Sequence, residues 1–372
     1  MVRVLRVITR LNVGGPSKQV SYLSKLFNGE EFSQLIVTGS VLNSEQEINL
    51  DLLKSKIIKI KQLSRDINPI ADLVTLMKIC HIIVSYKPNI IHTHLSKAWL
   101  ISSIAKILCR SRAVTIHTFH GHILHSYFSK PITYFLTIIQ RTLANHTDIL
   151  ITLNKSNRES LIRARIGKEH QFVEIQPGFD SISVDSKEIA KKSLGFDTSL
   201  FTVGYVGRFE KIKRIDLLSE VVALSKTKIK NVQFLTFGNG SEFAHFNERT
   251  KQYNVLNFSW IDDLEIAYSV IDLLILVSDN EGTPLVVIES GLCGIPTLSR
   301  NIGGISDLIT DGVTGFITGN SAEEIVSKLE YVVNNPKVYA NVSRQVMEQF
   351  RINYSEKEFL TAHKELYLSC ID

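Results

Sequence analysis

Short runs of β-branched and other apolar residues alternate along the whole chain with stretches of helical periodicity. The apolar runs predict strands over residues 2–9, 34–38, 90–94, 113–119, 149–153 and 172–176, and then over 202–206, 233–237, 256–258, 273–277, 296–299 and 315–317. Helical periodicity lies between them, as in 216–226 and 323–334. Strands that alternate with helices form parallel sheets with crossover helices, so the sequence predicts an α/β protein.

A polar segment, 180–193, contains no strand pattern and follows a turn at Pro177-Gly178. We place a domain boundary there, between domains 1–182 and 183–354, and expect a C-terminal helix over about 355–372 to pack back on the first domain. The length of 372 residues fits two hydrophobic cores better than one. Two Rossmann-like halves that face a cleft would direct the carboxyl ends of both sets of strands toward one ligand.

The composition is that of a soluble globular protein, with 44% hydrophobic and 21% charged residues. The four cysteines are scattered and form no Cys-x-x-Cys pair, which argues against zinc and disulfides and suits a reducing compartment. The N-terminus alternates charged and apolar residues instead of forming the apolar core of a secretory signal, and no stretch reads as a membrane span. We therefore expect a cytoplasmic protein, soluble or peripheral at the membrane.

Charge is distributed unevenly along the chain. Residues 1–180 hold 23 Lys/Arg and 12 Asp/Glu, a balance of +11, whereas the remainder has 19 basic and 25 acidic residues, a balance of −6. A basic first half suggests an anionic partner such as lipid headgroups, a diphosphate or nucleic acid. An ordinary solvated surface explains the charge equally well.

The segment 281–289, Glu-Gly-Thr-Pro-Leu-Val-Val-Ile-Glu, follows a predicted strand and opens a helix. Thr283 is predicted to cap this helix, with Pro284 as its first residue. The free amides near Leu285 then suit an anion, and Glu281 and Glu289 offer carboxylates on either side of it for sugar hydroxyls. A capped surface helix with two solvated glutamates is the alternative.

Two cations, Arg208 and Lys213, lie on the loop between the strand 202–206 and the helix that follows it. The Arg208 guanidinium can bind phosphate oxygens in a bidentate manner, and Lys213 adds a compact charge beside it. The pair could stabilise a departing diphosphate without a metal. Solvated surface cations are an equally good interpretation of this loop alone.

Glycine-rich turns follow or precede several predicted strands and could let backbone amides approach a ligand closely. They are Gly14-Gly15, Gly238-Asn239-Gly240 and Gly303-Gly304. Each is weak evidence alone, because most such turns only reverse the chain. None completes Gly-x-Gly-x-x-Gly, so the fingerprint of dinucleotide binding is missing.

Histidines at a spacing of two end two neighbouring strands. His92 and His94 end the strand 90–94, and His120 and His122 end or follow the next. No carboxylate lies near them in sequence, and adding His117 and His125 completes no metal signature. We expect His92 and His94 to be buried with satisfied hydrogen bonds, and His120 to donate a hydrogen bond to substrate.

The spaced glutamates of 281–289, preceded by Gly207-Arg208 and Lys213, resemble the retaining glycosyltransferases of family 4, which have the GT-B fold. The resemblance covers most of the chain. Its other motifs are Gly14-Gly15, Thr118-Phe-His-Gly121, Asp148 before a strand, Pro177-Gly-Phe-Asp180, Gly303-Gly304 and Asp311-Gly-Val-Thr-Gly-Phe316. As a set these motifs are highly specific, although each is weak alone.

The resemblance implies roles for the site residues. Arg208 and Lys213 would grip the donor diphosphate, Glu281 would contact donor-sugar hydroxyls, Glu289 would hold the ribose, and His120 would reach the donor sugar from the opposite domain. The other implied donor-binding residues are Gly14, Gly15, Gly238, Asn239, Gly282, Thr283, Pro284 and Leu285. The family uses no metal or other cofactor and retains the anomeric configuration, by same-face attack in which the leaving phosphate helps to deprotonate the acceptor.

Two departures from the family pattern leave the identity of the transferred sugar undetermined. Thr283-Pro284 stands where the family often has Phe-Gly, and Arg214 stands where glycine is usual. Both variations, like the segment 119–128, resemble bacterial capsule and O-antigen transferases. The resemblance thus implies transfer from a nucleotide-diphosphate sugar, with UDP expected, to a glycan or lipid-diphosphate-linked acceptor of surface polysaccharide synthesis.

An aromatic and basic segment suggests where the protein works. Tyr127, Phe128 and Lys130 precede an apolar stretch, 131–139, that is followed by Arg141. Most of these apolar residues should pack on the sheet if the stretch is helical. The adjoining residues could enter an anionic membrane surface, where each basic residue adds about 1 kcal/mol of attraction.

Three alternatives remain at this point. A nucleotide-sugar 2-epimerase of the same fold would keep the donor site and lack a separate acceptor. A catalytically silent partner subunit would tend to lose the Arg/Lys or Glu residues, and this chain keeps Arg208, Lys213, Glu281 and Glu289. Nucleic-acid binding ranks last, because it rests only on the basic half, with no recognised module.

Overall fold

The computed structural model describes residues 1–26, 31–41, 46–53, 55–121, 130–180, 187–193, 195–253, 255–258 and 264–371. The features predicted at His122, His125, Tyr127 and Phe128 lie outside the described residues, as does the part of the boundary segment at 181–186. The chain forms two compact units. Unit 1 holds the described residues up to Gly178 together with those from Glu356 onward, and unit 2 holds those between Phe179 and Ser355.

Unit 1 contains a seven-stranded parallel sheet in the order β3-β2-β1-β4-β5-β6-β7. Its strands are β1 (Val2–Ile8), β2 (Phe32–Thr38), β3 (Lys56–Lys59), β4 (Ile90–His94), β5 (Val114–Phe119), β6 (Ile149–Thr152) and β7 (Phe172–Glu174). Its helices are α1 (Gly15–Leu26), α2 (Pro69–Tyr86), α3 (Ser96–Leu108), α4 (Lys130–Asn145), α5 (Lys155–Arg163) and the C-terminal α14 (Glu356–Ser369).

Unit 2 contains a six-stranded parallel sheet in the order β10-β9-β8-β11-β12-β13. Its strands are β8 (Phe201–Val206), β9 (Val232–Phe237), β10 (Leu256–Phe258), β11 (Leu273–Leu276), β12 (Thr297–Arg300) and β13 (Gly315–Thr318). Its helices are α6 (Lys187–Ser193), α7 (Ile215–Lys228), α8 (Phe243–Thr250), α9 (Leu264–Val270), α10 (Leu285–Leu292), α11 (Ile305–Leu308), α12 (Ala322–Asn334) and α13 (Pro336–Asn353).

The central strands are continuous apolar runs because helices cover both faces of a parallel sheet. All four residues of β11 are buried, as are the last five of β1. The strand order reverses between β1 and β4 in unit 1 and between β8 and β11 in unit 2. Open α/β sheets bind ligands at the carboxyl ends of the strands beside such a reversal. The topology therefore predicts that ligands bind at the loops after β1, β4, β8 and β11.

The predicted α/β fold class is confirmed, and every predicted strand is present with its ends within two residues of the prediction. The sequence analysis missed β3. This strand has only four residues, Lys-Ile-Ile-Lys, and pairs with β2 at the edge of the sheet. Lysines are common on edge strands, where they replace the continuous apolar pattern of the interior.

The C-terminal helix α14 belongs to the core of unit 1. Its Phe359 and Tyr367 are buried in a cluster with Val4, Ile90 and Ile116 from the sheet. The chain re-enters unit 1 at Glu356, whose carboxylate pairs with Lys25 of α1 at 2.9 Å. The last helix thus covers strands at the centre of the first sheet.

Helix α2 does not fit the expectation that no segment has the length and apolar composition of a membrane span. Its 18 residues are long and apolar enough to cross a bilayer, with Asp72 and Lys78 as the charged residues. Thr75, Ile79, Ile82 and Ile83 are buried, and the three isoleucines belong to the apolar cluster of β1, β2, β4 and α3. Less than a quarter of the helix is buried, and length and composition alone do not show that it spans a membrane.

Candidate active site

Arg208 lies two residues beyond the end of β8, on the loop at the reversal of the second sheet. The Tyr205 hydroxyl donates a hydrogen bond to the Arg208 carbonyl at 2.8 Å, which fixes the backbone of the loop. The guanidinium forms an ion pair with Glu210 at 2.8 Å, and 41% of the Arg208 side chain is exposed. Arg208 therefore presents an accessible cation at the predicted position.

The glycine turn after β9 supports this loop. Gly238 has a φ of +135°, and a Cβ atom there would lie 2.0 Å from the Gly207 carbonyl oxygen. The Phe209 amide donates to the Asn239 carbonyl at 3.0 Å. Only glycine permits this close approach, and the hydrogen bond from the Phe209 amide to the Asn239 carbonyl holds the Arg208 loop against the end of β9.

Lys213 and Glu281 join the loops after β8 and β11. Lys213 ends a 3-10 helix, Lys211–Lys213, and its Nζ lies 2.6 Å from Glu281 Oε1. The Ser278 hydroxyl donates to the same carboxylate oxygen at 2.6 Å. Because only 7% of the Glu281 side chain is exposed, these two bonds fix the orientation of the carboxylate.

A second ionic network links the same loops and includes Arg214, which the sequence analysis noted only as a departure from the family. Asp279 Oδ1 accepts from Arg214 NH1 at 3.2 Å and from the buried Arg300 NH1 at 2.8 Å. The Asp279 amide donates to the Ile212 carbonyl at 2.9 Å. Arg214 thus contributes to holding the Lys213 loop beside the Glu281 loop.

Helix α10 begins one residue later than predicted. Leu285 is its first residue, and Pro284 is the N-cap, with a ψ of 106°. The predicted roles of Thr283 as cap and Pro284 as first helical residue are therefore wrong by one position, because the extended backbone of Pro284 lies outside the helix. The Pro284 carbonyl still accepts from Val287 at 3.0 Å, and the amide of Leu285 remains among those without an intrahelical acceptor.

Glu289 lies on α10 and is buried, with 3% of its surface exposed. The Tyr268 hydroxyl of α9 donates to Glu289 Oε2 at 2.6 Å. Burial, and then the neighbouring Glu289 charge, raise the pKa of Tyr268 well above its usual value, so this hydroxyl stays protonated. The sequence analysis missed Tyr268, because only the tertiary fold brings the two residues together.

The turn Gly303-Gly304 supports Glu281 from the other side. The Gly304 amide donates to the Glu281 carbonyl at 3.0 Å. Gly303 has a φ of +52°, and a Cβ atom there would lie 1.9 Å from the same carbonyl oxygen. Glycine is therefore required at position 303 for the Glu281 backbone to keep its place.

The Gly14-Gly15 turn and His120 belong to unit 1, and each lies beyond the carboxyl end of a strand. Helix α1 begins at Gly15, the Gly14 carbonyl accepts from the Lys18 amide at 3.1 Å, and a Cβ atom on Gly14 would meet only the Asn12 carbonyl, at 4.0 Å. His120 follows β5 directly, and its Nε2 lies 2.9 Å from His94 Nδ1.

Burial lowers the pKa of the two histidines at the end of β4 well below the usual value. His92 and His94 are buried and hydrogen-bonded, which confirms the structural role expected for them. Burial lowers the pKa of His120 to about 3. Within the described ranges, no group of three or more His, Cys, Asp or Glu side chains is arranged to hold a metal ion.

The structure therefore brings Arg208, Lys213, Glu281 and the start of α10 together at one reversal of strand order in unit 2. Two sequence profiles match the chain, one described as "Glycosyltransferase Family 4" over residues 13–181 and one as "Glycosyl transferases group 1" over residues 186–349. The chain belongs to the family 4 glycosyltransferases of the GT-B fold. This confirms the predicted enzyme class.

Relatives and solved structures agree with this assignment. The chain is 25% identical to the capsular polysaccharide biosynthesis glycosyltransferase CapM of Staphylococcus aureus, over 82% of each chain. It is 23% identical to the UDP-Gal:alpha-D-GlcNAc-diphosphoundecaprenol alpha-1,3-galactosyltransferase of Escherichia coli, over 83% of this chain and 82% of the relative. The structure of Anabaena HepE in complex with UDP and glucose matches with a TM-score of 0.83 at 17% identity, over 99% of this chain and 100% of that one, and this likeness supports the fold.

Proposed function

We propose that this glycosyltransferase moves a sugar from a UDP-sugar to a lipid-diphosphate-linked glycan in surface polysaccharide synthesis, with retention of anomeric configuration. The observation that carries the proposal is the ion pair of Lys213 with the Glu281 carboxylate just before α10, with the accessible Arg208 on the same loop as Lys213. Two relatives, one named for capsule synthesis and one for transfer to a diphosphoundecaprenol acceptor, support the choice of acceptor. The HepE complex with UDP and glucose supports the choice of donor.

Each group then has a separate task at the donor. Arg208, which is accessible, binds the diphosphate, and the first amides of α10 add a partial positive charge at the same place. Glu281, held through Oε1, accepts hydrogen bonds from the hydroxyls of the transferred sugar. Glu289, held by Tyr268 through Oε2, accepts from the ribose. In unit 1, His120 donates a hydrogen bond to the substrate.

The reaction breaks the bond between the sugar C1 and the phosphate oxygen, and the electron pair stays on the leaving UDP. The acceptor hydroxyl attacks C1 on the same face and transfers its proton to that phosphate oxygen. Arg208 and Lys213 stabilise the charge that develops on the diphosphate, so the chain supplies from its own side chains the electrostatic stabilisation of the leaving group. We propose that no metal or other cofactor is needed.

An anionic membrane surface is the proposed place of action, on its cytoplasmic side. Residues 1–180 carry the balance of +11, and α4 exposes apolar side chains on the same unit. Tyr134 and Phe135 are 66% and 62% exposed, and Ile132 and Ile138 are 49% and 41% exposed. The expectation that most apolar residues of 131–139 pack on the sheet is therefore wrong. Aromatic and apolar side chains beside basic residues favour binding at the interface of an anionic bilayer.

The experiment combines a panel of nucleotide sugars with a diphosphoundecaprenol-linked acetamidosugar as acceptor. We expect a UDP-sugar to give a product whose new linkage, read from the anomeric proton coupling by NMR, has the configuration of the donor. Conversion of the donor to its 2-epimer without transfer would replace the proposal with the epimerase alternative. An inverted linkage would overturn the same-face mechanism.

A further inference from the structure

Arg6 lies in the middle of β1, and its side chain is fully buried. Its Nε donates to Gln34 Oε1 at 2.8 Å, and its NH2 donates to the Tyr367 hydroxyl at 2.9 Å. Its NH1 lies 2.9 Å from His92 Nδ1 and 3.0 Å from His94 Nε2. A guanidinium carries only N–H donors, so all four of these partner atoms must accept.

This requirement determines where the protons lie on the next two rings. Because His94 Nε2 accepts from Arg6, the proton of the neutral His94 ring is on Nδ1. That Nδ1–H lies 2.9 Å from His120 Nε2 and donates to it. His120 Nε2 is therefore an acceptor, and the proton of the neutral His120 ring is on Nδ1.

The same argument assigns the opposite tautomer to the neighbouring His92. Its Nδ1 accepts from Arg6 NH1, so its proton is on Nε2, which donates to Thr118 Oγ1 at 2.7 Å. The Tyr367 hydroxyl of α14 accepts from Arg6 and donates to His92 Nδ1. Two histidines whose rings stack at 4.4 Å thus hold opposite tautomers, because one arginine donates to both.

The backbone directly after His94 is strained. Leu95, the next residue, has a φ of 70° and a ψ of 145°. Side chains with a Cβ atom rarely adopt this conformation, and such strain persists only where the surroundings hold the residue in place. The strain at Leu95 therefore indicates that the end of β4, which carries His94, is held in place by its surroundings.

We propose that Arg6 and His94 are positioning residues that fix His120 in the Nδ1–H tautomer. His120 then offers its ligand one N–H donor and no basic nitrogen, because its other nitrogen is occupied by His94. This inference rests on the proposed hydrogen bond of His120 to the substrate. A ring so fixed recognises a sugar oxygen, and it does not remove the proton of the acceptor.

The tautomers can be measured directly in the full-length protein labelled with ¹⁵N-histidine, by long-range ¹H–¹⁵N correlation with signals assigned through single His→Gln variants. We expect Nδ1–H for His94 and His120 and Nε2–H for His92. His363 provides an internal reference, because its Nδ1 lies 2.9 Å from the Phe359 carbonyl, which can only accept. An Nε2–H tautomer, or a charged ring at neutral pH, for His120 would overturn the proposal whether or not the enzyme proves active.

Two variants of His94 test the positioning role. In His94→Gln, the amide oxygen can accept from Arg6 and the amide N–H can donate to His120, so we expect the His120 tautomer to be kept and kcat/KM for the donor to stay within about threefold of wild type. In His94→Phe both bonds are lost, and we expect a mixture of His120 tautomers and a fall of about tenfold or more in kcat/KM. The His363 signal should not change in either variant.

Equal kcat/KM values in wild type and His94→Phe, with both proteins folded, would overturn the positioning role even if the tautomers were as expected. Failure of His94→Gln to restore activity while the His120 tautomer is kept would overturn it as well. A lack of nucleotide-sugar activity in wild type would instead refute the proposed function. The tautomer measurement would still stand in that case.

Discussion

Lys213 Nζ and Glu281 Oε1 lie 2.6 Å apart, and this ion pair joins the loop after β8 to the loop after β11. Ser278 donates to the same oxygen, so the lysine and the hydroxyl together orient the carboxylate. Lys213, proposed to bind the diphosphate, and Glu281, proposed to bind the sugar, therefore depend on each other for their orientation. Substitutions at the two positions should not act independently.

The first prediction is a coupled loss of activity. Lys213→Ala and Glu281→Ala should each lower kcat about a hundredfold, because each removes a preorganised charge at the transition state. The double variant should lose far less than the product of the two effects, since either change alone already disrupts the pair. A double-mutant cycle on nucleoside diphosphate release measures this coupling.

A matched control is available in the exposed ion pair of Lys328 with Asp311, at 3.1 Å in the same unit. Lys328→Ala should leave kcat unchanged, because exposed pairs contribute little. Multiplicative losses in the double variant would show that Lys213 and Glu281 act separately.

The second prediction compares two glycines with positive φ. Gly303→Ala places its Cβ atom on the Glu281 carbonyl, whereas Gly312, with a φ of +73°, has no atom within 4 Å of the added Cβ. Gly312→Ala should destabilise the fold by about 1–3 kcal/mol through backbone strain, and Gly303→Ala should cost more because of the added clash. Only Gly303→Ala should also lower kcat/KM, by about tenfold or more. Equal activities in two folded variants would contradict the role given to this turn.

The third prediction concerns Tyr268. Tyr268→Phe leaves the buried Glu289 carboxylate without its hydroxyl donor, and we expect KM for the nucleotide sugar to rise about fivefold with kcat little changed. Tyr339→Phe is the control, since that hydroxyl donates to the Asp272 carbonyl at 3.0 Å and should affect only stability. An unchanged KM in Tyr268→Phe would contradict the proposed role of Glu289 in donor binding.

The fourth prediction is binding to anionic vesicles that weakens as salt is added, because screening shortens the reach of surface charge. Tyr134→Ser with Phe135→Ser should reduce cosedimentation, since both side chains are exposed on α4. Ile352→Ser, at a position 73% exposed on α13 of unit 2, should not. Equal, negligible binding to anionic and neutral vesicles would indicate an enzyme that acts on a free acceptor.

Much of the unit 2 site could be predicted from the sequence, because its residues follow strands that a parallel sheet brings together. Arg208 and Glu281 are far apart along the chain, yet each follows a strand at the same reversal of strand order. The exact start of α10 could not be predicted, because it depends on the ψ of Pro284 and no local pattern specifies that angle.

The contacts of His120 could not be predicted for a different reason. Arg6 and His94 are 88 residues apart, and Arg6 and Tyr367 are 361 apart, so their bonds exist only after the sheet and the last helix have formed. The one available signal was an arginine inside an apolar strand. A buried guanidinium must find acceptors, so its presence indicates a polar network without identifying the partners.

The central claim is that the side chains of the chain itself stabilise the departing nucleoside diphosphate. The most direct test is the rate of UDP release from a UDP-sugar in EDTA, for wild type and for Arg208→Ala, with folding checked by circular dichroism. We predict that chelation leaves the wild-type rate unchanged and that Arg208→Ala is slower by about a hundredfold or more. Loss of wild-type activity on chelation that magnesium or manganese restores, or equal rates in the two proteins, would contradict the account.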